Sequence, residues 1–260
     1  MSASKRHIRL ILEYDGTNYS GWQRQINAPS VQQTLEEALA RLLGAQITVT
    51  GSSRTDAGVH ALDQNVHFDA CTRIPGDKFA FALNTLLPED VRVRASMDAE
   101  PGFHARFSAT GKIYRYAIHN ARHAPAIDRL THAHVPLPLC ERAMDLAAQA
   151  VVGYHDFAAF AAAGSVVKDT RRTIFRARVY RQGERVYLLV HGDGFLYNMV
   201  RILAGTLIGI GNDKLPPDAL SRAIETGDRL DLGVTAPAKG LTLLRVFYGD
   251  DAQAAGYFDA

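Results

Sequence analysis

The chain has 260 residues, 47% hydrophobic and 22% charged, with a net charge of +2 from 29 Lys and Arg against 27 Asp and Glu. That balance excludes a disordered chain and is too mild to announce nucleic-acid binding by itself. No segment reaches the length of a membrane span, the opening MSASKRHIRL lacks a signal peptide's apolar run, and Cys71 and Cys140 lie far apart in unlike contexts. The expectation is a cytoplasmic protein with reduced thiols and no membrane association.

In chain order, HIRLILEY alternates, with Ile8, Leu10, Leu12 and Tyr14 on one face, as a half-buried strand does. SVQQTLEEALARLLG is a helix in which Ser30 is the N-cap, Gln33 completes a capping box and Gly44 stops it. A strand near 46–50, another at 64–69, a helix at 77–87 ended by Pro88 and a strand at 91–96 follow. The order is β-α-β-β-α-β, the ferredoxin-like arrangement. The second half repeats it loosely: a strand at 112–119, a helix near 141–152 and a polar loop around 164–170. Then come a hairpin (173–181 and 184–191) turning at Gln182-Gly183, an apolar helix at 195–210, a short helix after Pro216-Pro217 and a strand at 241–248. The predicted fold is α+β: two ferredoxin-like halves, residues 1–108 and 109–260, with packed antiparallel or mixed sheets and a central cleft suited to a ligand.

Charge is unevenly placed. Residues 101–123 contain no acid, but hold Arg106, Lys112, Arg115 and Arg122; residues 168–185 hold seven basic residues against two acids, while the last twelve residues carry acids only. Two basic segments suit a phosphate-binding surface; solvated strand faces are the alternative.

The stretch GSSRTDAGVHA (51–61) places Asp56 beside Arg54 and between glycines, just after a strand-like run. It reads as a tight turn or as a loop presenting a catalytic carboxylate. Arg201 interrupts the apolar run FLYNMVRILAGTLIGIG; a guanidinium buried there requires a partner, either nearby Asp193 or Asp56 from the other half. Tyr114 and Tyr116 share a strand face with Lys112, as core residues or as a surface for a base. The ten histidines form no metal-ligand set, GTLIGIG lies within a helix instead of between strand and helix, and no nucleophile elbow appears. No metal is expected.

Six blocks in order, EYDGTNYSGWQRQ (13–25), SVQQTLEEAL (30–39), SRTDAGVHAL (53–62), FHARFSATGKIYRY (103–116), FLYNMVRILAGTLIGIG (195–211) and KGLTLLRVFY (239–248), resemble those of the TruA-type tRNA pseudouridine synthases. The resemblance implies isomerisation of uridine to pseudouridine at positions 38 to 40 of the tRNA anticodon stem-loop, by a homodimer without a cofactor. It implies Asp56 as the catalytic aspartate, Arg201 as its ion-pair partner, Tyr114 against the target base and Arg54 helping to draw that base out. Arg24, Arg106, Lys112, Arg172 and Arg176 are the candidate RNA contacts. Where the family commonly has Gly before Arg-Thr-Asp, this chain has Ser53, and Asp63 and Asn65 also depart from the pattern. The rival readings are a non-catalytic RNA-binding or RNA-folding protein, and a glycoside-type hydrolase, which usually needs two carboxylates about the bond.

Overall fold

The computed structural model describes residues 4–161, 169–249 and 252–258. Lys168, most of the 164–170 loop and the tail acids Asp250, Asp251 and Asp259 lie outside the described residues. The chain divides into two compact units, residues 1–110 with 243–249, and residues 111–242 with 250–260. The architecture is α+β with mostly antiparallel strand pairing, as the element order predicts.

In the first unit, β1 (Ser4–Tyr14) lies between β3 (His60–Thr72) and β4 (Val91–Asp98), antiparallel to both. Its alternation is realised: Ile8, Leu10, Leu12 and Tyr14 are all buried. Helix α1 (Val31–Leu43) starts where Ser30 Oγ accepts the Gln33 N–H at 3.2 Å and ends at Gly44 with φ 69°. The expected capping box is only half made, because the Gln33 amide turns instead to Glu37, one helical turn on, at 2.8 Å.

The strand expected at 46–50 is reduced to β2 (Thr50–Gly51). The cause is in α1. Val49 donates its N–H to buried Glu36 Oε1 at 3.2 Å, and its carbonyl accepts from Gln32 Nε2 at 3.2 Å. Side chains thus satisfy backbone groups that a neighbouring strand would otherwise take. Helix α2 (Phe79–Asn84) is shorter than expected, and Asn84 bonds both the N–H and the carbonyl of Val93 on β4.

In the second unit, β5 (Gly111–His119), β9 (Arg185–Gly192), β8 (Arg171–Gln182) and β7 (Gly153–Asp156) pair antiparallel in that order. β6 (Ala133–His134) runs parallel to β5. In the hairpin Gln182 faces Arg185, so Gly183 and Glu184 form a two-residue turn, with Gly183 at φ 60°. Three helices complete the unit: α3 (Glu141–Ala148), α4 (Met199–Gly211) and α5 (Ala219–Thr226). The last strand, β10 (Leu241–Phe247), gives its residues from Leu243 onward to the first unit.

The far end of the β1–β3 pair carries three imidazoles. His7 and His67 have ring centroids 5.1 Å apart, His67 and His104 4.6 Å. His67 Nδ1 accepts the Ala105 N–H at 3.0 Å. Burial, then the neighbouring His104 and His7, lower the His67 pKa from 6.5 to about 4. Between those two values the unfolded chain binds the proton that the folded chain refuses, so stability is retained above pH 6.5 and lost as pH falls toward 4. Urea unfolding should therefore show a free energy that declines across this window, with a flatter decline in His67→Gln. Identical slopes would remove His67 as the cause.

Candidate active site

Asp56 is half-buried on the turn leading into β3, and Arg54 beside it is exposed. Two segments of the first unit hold this turn. From the 14–22 segment, Trp22 donates its N–H to the Thr55 carbonyl at 3.0 Å, and the Tyr14 hydroxyl bonds Thr55 Oγ1 at 2.8 Å in a buried contact. The Tyr19 carbonyl accepts the Gly58 N–H at 3.1 Å, and Asp56's own carbonyl accepts from Val59 at 3.1 Å. Gly21 is required at this crossing. Its φ is +93°, and a Cβ there would lie 2.5 Å from the Thr55 carbonyl oxygen.

From β3, fully buried Gln64 donates Nε2 to the Ser53 carbonyl at 2.7 Å and accepts from Ser52 Oγ at 2.9 Å. Residues 52–59 are thus fixed on both sides of Asp56, and the motifs at 13–25 and 53–62 fold as one unit. Nothing at the level of sequence marked Gln64, Tyr14 or Gly21 for this task.

Asn65, Asp63 and Ser53 beside this loop have local accounts. Asn65 Oδ1 accepts from Arg9 Nε at 2.8 Å and Nη2 at 2.6 Å, and Asn65 Nδ2 donates to the Asp63 carbonyl at 3.2 Å. Buried Asp63 accepts the Val246 N–H at 2.8 Å and lies 3.8 Å from Arg245, while its burial raises its pKa. Arg9 is also enclosed by aromatic rings, its guanidinium 4.8 Å from Phe103 and 4.3 Å from Tyr248. Asp63 is accordingly a structural acceptor for β10. Ser53 is less well accommodated: its buried Oγ has no hydrogen-bond partner among the described residues.

In the second unit, the two tyrosines separate in role. Tyr116 is fully buried, and its hydroxyl donates to the Pro237 carbonyl at 2.8 Å. Tyr114 is 7% exposed and meets the edge of Phe195 at 5.1 Å. Phe195, which the sequence reading did not single out, opens the segment leading into α4. Lys112, half-buried, faces Gly192 in the β5–β9 register, and Arg172 lies over Gly194. The 192–198 segment thus gathers Lys112, Tyr114 and Arg172.

Arg201 corrects an expectation. It is half-buried in the first turn of α4, not mid-helix, because the helix begins only at Met199. Asn198 precedes it in the left-handed region at φ 61°, which breaks the apolar run that suggested a start at Phe195. Arg201 Nη1 donates to Asn198 Oδ1 at 2.8 Å and Nε to the Ala236 carbonyl at 2.9 Å. Ala236 returns its N–H to the Arg201 carbonyl at 3.0 Å. Gly205, one turn on, admits the Val234 backbone; a Cβ there would lie 1.7 Å from the Val234 carbonyl oxygen. Asp193, the nearby candidate mate, accepts the Thr173 N–H with both carboxylate oxygens at 3.1 Å.

The basic segments are partly committed to structure. Arg171 pairs with Asp169 at 3.0 Å, Arg181 with Glu141 at 2.9 Å and Arg185 with Asp128 at 2.7 Å. Arg24 is exposed yet reaches Glu36 at 2.8 Å. Arg176 is exposed, 6.0 Å from the Phe258 ring, and Arg178 donates to the Phe258 carbonyl. Arg106 is exposed. Among the described residues no group of three or more His, Cys, Asp or Glu could hold a metal ion, and no helix is long and apolar enough to cross a membrane. Cys71 and Cys140 are exposed and unbridged.

Taken separately, the first unit carries Asp56 on a loop braced from two sides, and the second gathers Lys112, Tyr114 and Arg172 about the 192–198 segment. The chain belongs to the tRNA pseudouridine synthase family, whose model matches residues 10–108 and 147–249. Over 244 residues it is 49% identical to the tRNA pseudouridine synthase A of Ruminiclostridium cellulolyticum, covering 94% of this chain and all of that protein. It is 46% identical over 243 residues to the enzyme of the same name from Geotalea uraniireducens, with the same coverage.

Substituting Gly21→Ala should lower the unfolding free energy by about 1–3 kcal/mol, since a strained φ and a backbone collision are introduced together. It should also raise amide exchange at Trp22 and Val59, whose N–H groups bond Thr55 and Asp56. Unchanged exchange at both would show that Gly21 does not hold the loop.

Proposed function

We propose that this chain isomerises uridine to pseudouridine at positions 38 to 40 of the tRNA anticodon stem-loop, with Asp56 as the catalytic carboxylate. The observation that carries the reading is the family match, which includes both the rigidly held Asp56 loop and the start of α4 with Arg201. In the reaction the C1′–N1 bond breaks, uracil turns while held, C1′ bonds C5, the C5 proton leaves to water and N1 takes up a proton. An ionised carboxylate can serve by attack on C1′, addition to uracil C6 or removal of a sugar proton, and each route needs the charge maintained beside a bound base. In this reading Arg201 supplies the countercharge. Asn198 and the Ala236 carbonyl, both neutral acceptors, help to orient the guanidinium.

Tyr114 lies against the target base in this reading, and Arg54, exposed beside Asp56, takes part in drawing that base from the stem. Unstacking costs a few kcal/mol, which aromatic contact offsets. Tyr114 is suited to this by position, being two residues from Tyr116, whose hydroxyl is already committed to Pro237. Arg24, Arg106, Lys112, Arg172 and Arg176 hold phosphates, so recognition depends on RNA shape and falls with salt. The enzyme works as a cytoplasmic homodimer without metal or cofactor; this part of the reading is supported by the resemblance alone.

Incubated with tRNA carrying tritium at uracil C5, the protein should release tritium to water. Asp56→Asn should abolish release while tRNA binding persists; a mutant with substantial activity would remove Asp56 from the chemistry. Arg201→Leu should lose both activity and about 1–3 kcal/mol of stability, because two bonds from a charged donor disappear. Binding without release by the unaltered protein would leave an RNA-binding protein as the account. Exchanging Arg172 and Arg176 together for Gln should weaken tRNA binding and flatten its dependence on salt. An unaltered slope would mark both as solvated surface.

A further inference from the structure

The turn that follows β4 holds a feature the reaction does not use. Phe107 is 78% exposed, unusual for a phenylalanine, and its ring stacks on that of His104 at 4.2 Å and 26°. The stack is not loose. His104 Nδ1 accepts the N–H groups of both Arg106 and Phe107, at 3.2 and 3.1 Å, and Ser108 bonds the His104 backbone in both directions. Behind it, Ala105 is fixed to His67. The Phe107 ring is thus backed by His104 while most of the residue stays open to solvent. The Arg106 guanidinium lies 5.9 Å from the ring, and no acid occurs anywhere in residues 101–123.

We propose that Phe107, backed by His104 and flanked by Arg106, is a stacking platform for one unpaired base of the tRNA other than the target uridine. This rests on tRNA being the substrate. A preformed, supported aromatic face beside a cation matches the flat π-face and adjacent phosphate of a nucleotide, and stacking of this kind tolerates any base. The β1–β3 register sets His67, which supports the platform, apart from the start of β3 beside the Asp56 turn. Tyr14 faces Ala61 at the Asp56 end, while Arg9 faces His67 at the platform end. Ala61 and His67 are six residues apart on β3, roughly 20 Å at about 3.3 Å per residue. The platform therefore meets the RNA at a second point, and one uridine is presented to Asp56 by RNA held elsewhere.

The chain's one tryptophan, Trp22, is 2% exposed, so Phe107→Trp adds the sole solvent-facing indole. Unmodified tRNA should quench its emission, with half-saturation at the concentration that half-saturates binding. Phe107→Ala should raise KM for tRNA about 5- to 150-fold, with the loss carried by KM. Phe107→Tyr should restore KM, and Phe107→Leu, with similar bulk but no π-face, should not. Absent quenching with an unmoved KM in Phe107→Ala would overturn the platform. An unmoved KM with an altered sedimentation coefficient would overturn it in favour of a contact between copies of the chain. If the unaltered protein released no tritium, the enzymatic reading would fail on its own, and quenching by tRNA would then decide the platform alone.

Discussion

The first unit is organised around the crossing of two loops at Thr55. Its carbonyl is bonded by Trp22, its hydroxyl by Tyr14, and the approach is close enough that residue 21 has no space for a side chain. Because both segments leave from the same end of β1 and β3, whose register is set by a buried apolar face, the crossing inherits the precision of the sheet. The backbone of Asp56, one residue further on, has little freedom left. That is the condition for a charge that must meet a reacting atom within a fraction of an ångström.

The second unit fixes its cation by comparable means but from a helix end. Asn198 in a left-handed conformation starts α4 late, which moves Arg201 from a buried mid-helix position to the first turn. There its guanidinium reaches Asn198 and the Ala236 carbonyl, while Gly205 lets the same extended segment lie directly on the helix. The glycines of the apolar run thus permit close backbone packing, and their resemblance to a phosphate loop is only compositional.

Asp63, Asn65, Arg9 and Arg245 form a connected set in which buried carboxylate and amide oxygens meet backbone N–H groups or guanidinium. A buried acid is tolerable only under such satisfaction. Ser53 lacks it at Oγ, and its backbone carbonyl carries the structural role through Gln64.

From the sequence alone, α1 with its Ser30 and Gly44 boundaries, the alternation of β1 and the β8–β9 hairpin were legible, since each depends on local periodicity and turn chemistry. The two-residue β2 was not, because Glu36 and Gln32 satisfy Val49 from a helix, a choice no local window contains. Nor was the late start of α4, since Phe195, Leu196 and Tyr197 continue an apolar pattern that a single backbone dihedral at Asn198 interrupts. The roles of Gln64, Phe195 and the exposed Phe107 were equally silent, for they arise from contacts and from exposure. Sequence determined which residues carry charge and which stretches favour helix, strand or turn; tertiary structure decided which of those groups were already occupied, because a partner distant along the chain leaves no mark on spacing.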